Sequence, residues 1–158
     1  MSALTNSLVM LSHAVAGVFT HLALIWLYVE SLNASETNQK RIKLATYHVV
    51  FWITLSFVVG GFWYINYYPV DKGIILKSDF AFAHKFFMET KEHIFFILLI
   101  LAYYLPFVTL KHDLSQNSVA RKATIALVSV MGVIILYMEG AGAIIGQGVK
   151  LALSMGVK

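Results

Sequence analysis

Four apolar runs constrain this chain more than any other feature. They extend over about Leu8 to Val29, Ile42 to Tyr68, Ile94 to Leu110 and Ala123 to Ile145. A hydrocarbon core about 30 Å thick takes roughly 20 helical residues to cross. The third run is short by that measure and borrows from the segment before it, from about Phe80. Of the 158 residues, 59% are hydrophobic and 13% charged, against roughly 25% charged in a soluble domain. A chain this small cannot hide so much apolar surface in one aqueous core. The fold class expected is all-α: a single domain, 1–158, forming a four-helix transmembrane bundle, mostly antiparallel because the connections are short.

Polar connections separate the runs: 31–41, 69–92 and 111–122. Ser78 or Asp79 is a candidate N-cap for an interfacial start to the third helix. Lys40, Arg41, Lys43, Lys111, Arg121 and Lys122 fall on one side. Lys72, Lys77, Lys85, Lys91, Lys150 and Lys158 fall on the other. The counts tie, but the first group is denser and less offset by acids. It is placed inside, which puts both termini outside. The expected location is a bacterial or archaeal cytoplasmic membrane. Residues 1–7 carry no Lys or Arg, unlike a secretory signal. The net charge of +4 reads as topology and headgroup contact, not nucleic-acid binding.

The absence of cysteine excludes disulfides, thiolate metal sites, Fe–S clusters and covalently attached haem. No Gly-x-Ser-x-Gly, phosphate loop or His-Glu-x-x-His motif points to hydrolytic chemistry, and no catalytic residue is assigned. What stands out is ionisable groups within apolar runs, where they need partners. They are His13 and His21 in the first run, His48 in the second, His93 at the mouth of the third and Glu139 in the fourth. At helical periodicity each lies on a stripe expected to face the bundle interior: His13-Gly17-Thr20-His21-Leu24-Tyr28, His48-Trp52-Leu55-Val59-Trp63-Asn66, Glu89-His93-Ile97-Ile100-Tyr104, and Gly132-Glu139-Ala143-Gly146. His21, about 20 Å along its span, and His48, about 9 Å into the next from the opposite side, share a depth. His13, Glu89, His93 and Glu139 group near one membrane face. Glu139 is expected to pair with His13 or Lys91. His84 and His112 read as solvated, the Glu89/Glu92 pair as an exposed helix face, and Gly140-Ala141-Gly142-Ala143 as close helix packing.

Facing imidazoles between helices suit haem b, whose iron takes axial ligands without a covalent tether. The expected pairs are His21 with His48 and His13 with His93. His13 and His21, His48, and the run Met88-Glu89-Thr90-Lys91-Glu92-His93 give the chain a pattern that resembles small four-helix membrane cytochromes of b type and CopD-like membrane proteins. The resemblance implies haem b, electron transfer within the bilayer, and contact with a quinone or a redox partner protein. A rival expectation is a metal site of His13, Glu89, His93 and Glu139, a donor set suited to Zn, Fe or Cu. A third is a cofactor-free accessory subunit, as a homo-oligomer or within a larger membrane complex.

Overall fold

A computed structural model describes residues 3–157, and no strand occurs among them. The elements are α1 (Ala3–Leu32), a 3-10 turn (Glu36–Asn38), α2 (Gln39–Asn66), α3 (Tyr68–Leu76), a π-helical segment (Ala83–Met88), α4 (Glu89–Thr109) and α5 (Ser118–Ser154). Four stretches are long and apolar enough to cross a membrane: Leu4–Leu32, Glu36–Asn66, Ala83–Thr109 and Ser118–Ser154.

Helix α1 packs on α2 and α5, and α4 packs on the same two helices. Contacts along α1 and α2 run in opposite order. His13 meets Ser56, Phe19 stacks on Trp52, Trp26 lies against His48, and Glu30 pairs with Arg41. Leu24, Leu27, Val49, Ile53, Leu98, Leu105 and Met131 form the central core. Tyr68, Ile75, Ala83, Met88 and Ile145 form a second core at the end where α1 begins. The outside of the bundle is also apolar, with Phe51, Ile65, Ile100 and Val133 exposed.

Two stretches differ from the expectation. The second span ends at Asn66, and Pro69 does not terminate helix but sits in the first turn of α3. Proline is tolerated there because a first-turn N–H has no intrahelical acceptor, and its fixed φ suits the helix. The connection at 69–92 is therefore mostly structured. Its π-helical segment runs straight into α4. The fourth helix continues past Ile145 to Ser154. Gly148 lets this extension pack closely on the π-helical segment, since a Cβ there would lie 3.1 Å from the Ala83 side chain.

Polar bonds lock the frame. The buried Thr46 hydroxyl donates to Thr109 Oγ1 (2.9 Å), joining α2 to α4. Asn117 caps α5 by accepting from Ala120 N. Asp113 accepts from the Ser115 N–H and hydroxyl, which holds its carboxyl below the ordinary value. Between α1 and α2 the buried Asn38 amide donates to the carbonyls of Glu30 and Asn33 and to Glu30 Oε2, and its oxygen accepts from Ser35 N. Replacing Asn38 with Ala strands these groups, each costing about 1–3 kcal/mol if left unpaired. We expect Asn38→Ala to unfold at least about 1 kcal/mol more easily in detergent titration. A variant indistinguishable from the parent would show that this turn does not hold the two helices.

Candidate functional site

The stripe of α1 faces inward as the sequence suggests: Thr20 and Leu24 are buried, and His13 and His21 half-buried. The other three stripes require correction. In α2 the buried line is Ile42, Ala45, Thr46, Val49, Ile53 and Ser56, while His48 is exposed. In α4 it is Leu98, Ala102, Leu105 and Val108. Glu89, His93, Ile97, Ile100 and Tyr104 lie on the exposed flank. In α5 Glu139 is at the exposed edge, outside the line of Val128, Met131, Ile135, Met138, Ala141 and Ile145. The physical reason is that these helices are apolar on nearly every side. Periodicity then shows which residues share a face, but not which face turns inward.

The expected ligand pairs are dispersed accordingly. His21 turns to α5, with Nδ1 3.6 Å from Glu139 Oε1, while His48 lies against the Trp26 ring. His13 turns to α2, where Nδ1–H donates to the Ser56 carbonyl (2.9 Å). His93 Nδ1–H donates to the Glu89 carbonyl of its own helix (2.6 Å). Among the described residues no three His, Asp or Glu side chains gather as a metal-ligating group. The set of His13, Glu89, His93 and Glu139 is thus split over different neighbours, with Glu139 paired to His21 rather than to His13 or Lys91.

A different constellation assembles at the end where α1 begins and α2 finishes. His84, expected to be solvated, is 4% exposed, and its Nδ1 shares a hydrogen bond of 2.9 Å with the Tyr68 hydroxyl. Its other nitrogen is 4.0 Å from Glu89 Oε1. Burial foremost, then the nearby phenol and carboxylates, raises the Tyr68 hydroxyl well above the ordinary phenol value and keeps it protonated. Tyr64 stacks on Tyr68, and its phenol lies close to Glu92. Glu92 is not the exposed acid expected from its spacing: its Oε1 is buried without a hydrogen-bond partner. Lys91 points inward towards His13, with its ammonium 3.3 Å from where a Cβ would stand at residue 142. Among the described residues no carboxylate lies within ion-pair distance of it.

Glycines create the space. A Cβ at residue 60 would lie 2.6 Å from His13 Nδ1, so the imidazole is seated where α2 lacks a side chain. Trp63 Nε1 donates to Asn6 Oδ1 (2.8 Å) and holds α1 and α2 together beside it.

Sequence reasoning missed His84, Lys91, Glu92, Tyr64 and Tyr68, although a signal for the first two exists. The spacing His84-Met88-Lys91-Phe95-Leu98-Ala102-Leu105-Thr109 is one continuous 3–4 alternation. Its apolar half is the buried face of α4, so its polar half also points inward. Comparison of the chain with protein-family models, curated proteins and solved structures finds no match.

Gly60 and Gly61 allow a direct check. Gly60→Ala forces the His13 ring from its seat and should destabilise by about 1–3 kcal/mol. Gly61→Ala meets open space and should stabilise by up to about 1 kcal/mol through helix propensity. Unfolding of both variants in the same detergent tests this, and equal effects would refute the close fit.

Proposed function

We propose that the chain is a multi-pass membrane protein that crosses the bilayer four times with antiparallel neighbours, and that it carries protons from one membrane face to the bilayer centre for a redox or transport partner. The observation behind this reading is a file of titratable side chains drawn from separate helices. Tyr68, His84 and Glu89 form its mouth. Tyr64 and Glu92 follow, then Lys91 and His13, and it ends at His21 and Glu139. Glu139 is one helical turn from Gly142, where Lys91 arrives. Steps of that length are ones a bridging water covers.

His21 stands about 16 Å from the far end of α1, near the middle of a core about 30 Å thick. Beyond it Leu24, Leu27, Val49, Ile53, Leu98 and Leu105 close the interior. Such a path reaches the centre from one side without leaking across. Intramembrane chains of Glu and His with this disposition are the means by which membrane proteins relay protons. The mouth is on the side that carries the termini, which we place outside because the loops opposite hold the denser group of Lys and Arg.

Infrared spectroscopy of the protein in lipid films, during exchange into heavy water, reads the path directly. The His21 imidazole N–H band, assigned with His21→Phe, should exchange at least about tenfold more slowly in Glu92→Gln and Lys91→Met, because each removes one link. Unchanged exchange in both variants would sink the relay.

A second reading, electron transfer through haem b, has one specific observation in its favour. The Nδ1–H bonds of His13 and His93 to backbone carbonyls leave each Nε2 lone pair free, the tautomer an axial ligand requires. Haem would supply one-electron chemistry. Because His93 is on the exposed flank, its iron would take the second ligand from another copy or a partner subunit. Protein purified from haem-supplied membranes should then show a Soret band that disappears in His13→Ala or His93→Ala. A band surviving both would exclude these ligands, and no band at all would exclude the reading.

A further inference from the structure

We infer that the outward face of α2 docks against the same face of a second copy of this chain, forming a parallel dimer about a two-fold axis along the membrane normal. Leu44, His48, Phe51, Leu55, Val58 and Phe62 follow one another at alternating steps of four and three residues. All are exposed except the half-buried Leu55. None belongs to the buried line of the same helix. Such an alternation is the apolar seam of a two-helix coiled coil, and here it extends over about five turns.

The spacing alone would suit lipid as well as protein, and His48 decides between them. It stands about 9 Å along α2 from Ile42, where the apolar run begins, well inside the hydrocarbon. Its ring lies against that of Trp26, but the indole N–H of Trp26 is already given to Glu30 Oε1. Outward-facing Ser12, Ser129 and His93 each donate to a carbonyl one turn back on their own helix. His48 makes no hydrogen bond to any described residue. Acyl chains cannot satisfy an imidazole, and polar groups at this depth take their partners from protein.

A second copy supplies that partner by symmetry. Copies that insert the same way round meet with the same patch on both sides, so the two His48 side chains face each other at one depth. A neutral imidazole carries one N–H donor and one bare nitrogen acceptor, and two of them across the axis close a hydrogen bond between themselves. An unrelated membrane protein would need a matching polar group at this same level. Helices in lipid associate through packing and such bonds, and a single polar residue in an apolar seam fixes register and partner number. At the loop end the next seam position, Arg41, is paired with Glu30 of its own chain, so opposing positive charges are neutralised. The dimer rests on the bilayer placement proposed above and needs neither the proton relay nor haem.

The chain has no cysteine, so single introduced cysteines report contacts without background. The protein is reconstituted at high lipid dilution in phosphatidylcholine vesicles and oxidised with copper-phenanthroline. Leu44→Cys, Phe51→Cys and Val58→Cys should form disulfide-linked dimers at least about tenfold faster than Ile100→Cys or Val133→Cys, because the bond needs the two backbones within about 7 Å. Ile100 and Val133 are equally exposed, on α4 and α5. Single-molecule photobleaching against lipid dilution reads the dimer constant. His48→Leu should weaken it about threefold to tenfold, the weight of one interhelical hydrogen bond in lipid. His48→Asn, whose amide also pairs with its own copy, should keep it within about twofold. Equal cross-linking on all three helices, cross-linking at Ile100→Cys or Val133→Cys alone, or a His48→Leu variant that dimerises like the parent would overturn the seam. Rapid reaction of Phe51→Cys with a membrane-impermeant maleimide would remove the bilayer placement and the dimer with it, whereas cysteines protected from maleimide yet not cross-linked would remove the dimer alone.

Discussion

Helices that are apolar on every side have no hydrophobic reason to prefer one rotation in hydrocarbon, because lipid and protein interior are alike to a leucine. Polar contacts and close steric fits must then fix the rotation, and the rest of this structure depends on that constraint. Thr46 and Thr109 set the facing of α2 and α4. The His13 imidazole, bonded to Ser56 and seated over Gly60, sets the facing of α1 and α2. Asn6 and Trp63 clamp one end of that pair, and Asn38 with Glu30 clamps the other. Without these contacts the bundle could turn its helices at little cost. The ionisable groups then act as the registration marks of the fold as well as its chemistry.

The architecture was largely legible in the amino-acid order. The four apolar runs coincide with the four long helices, because the length that crosses a bilayer is fixed by the rise of an α-helix. The inward face of α1 was legible too, since Gly17, Thr20 and the two histidines share a face that hydrocarbon would not favour. The faces of α2, α4 and α5 were not. There the reading followed the histidines and Glu139, whereas the burial follows small and aliphatic residues such as Ala45, Ala102 and Ala141. A lone imidazole or carboxylate is a weak guide when it can lie at a helix flank, as His48 and His93 do.

The site was only half legible for a related reason. Lys91 and Glu92 were read as connection charges, because a charged run beside an apolar span usually marks the interface. Their depth depends on α3 and the π-helical segment folding over the bundle end, a tertiary arrangement that local pattern does not specify. In the fold Tyr68 hydrogen-bonds His84 and Tyr64 lies close to Glu92, and the phenol of Tyr68, kept protonated by burial, supplies a hydrogen where an ionised group would be costly.

The π-helical segment at Ala83–Met88 has a consequence of its own. Such a turn holds one residue more than a turn of the regular helix α4 that follows it. Losing that residue would let the backbone relax to an ordinary α-helix and rotate everything before it by about 100° relative to α4. His84 would swing away from Tyr68 while α4 itself stayed in register. The local chain length here is therefore a geometric dial: within these six positions the count of residues, together with His84 itself, decides whether an imidazole meets the phenol.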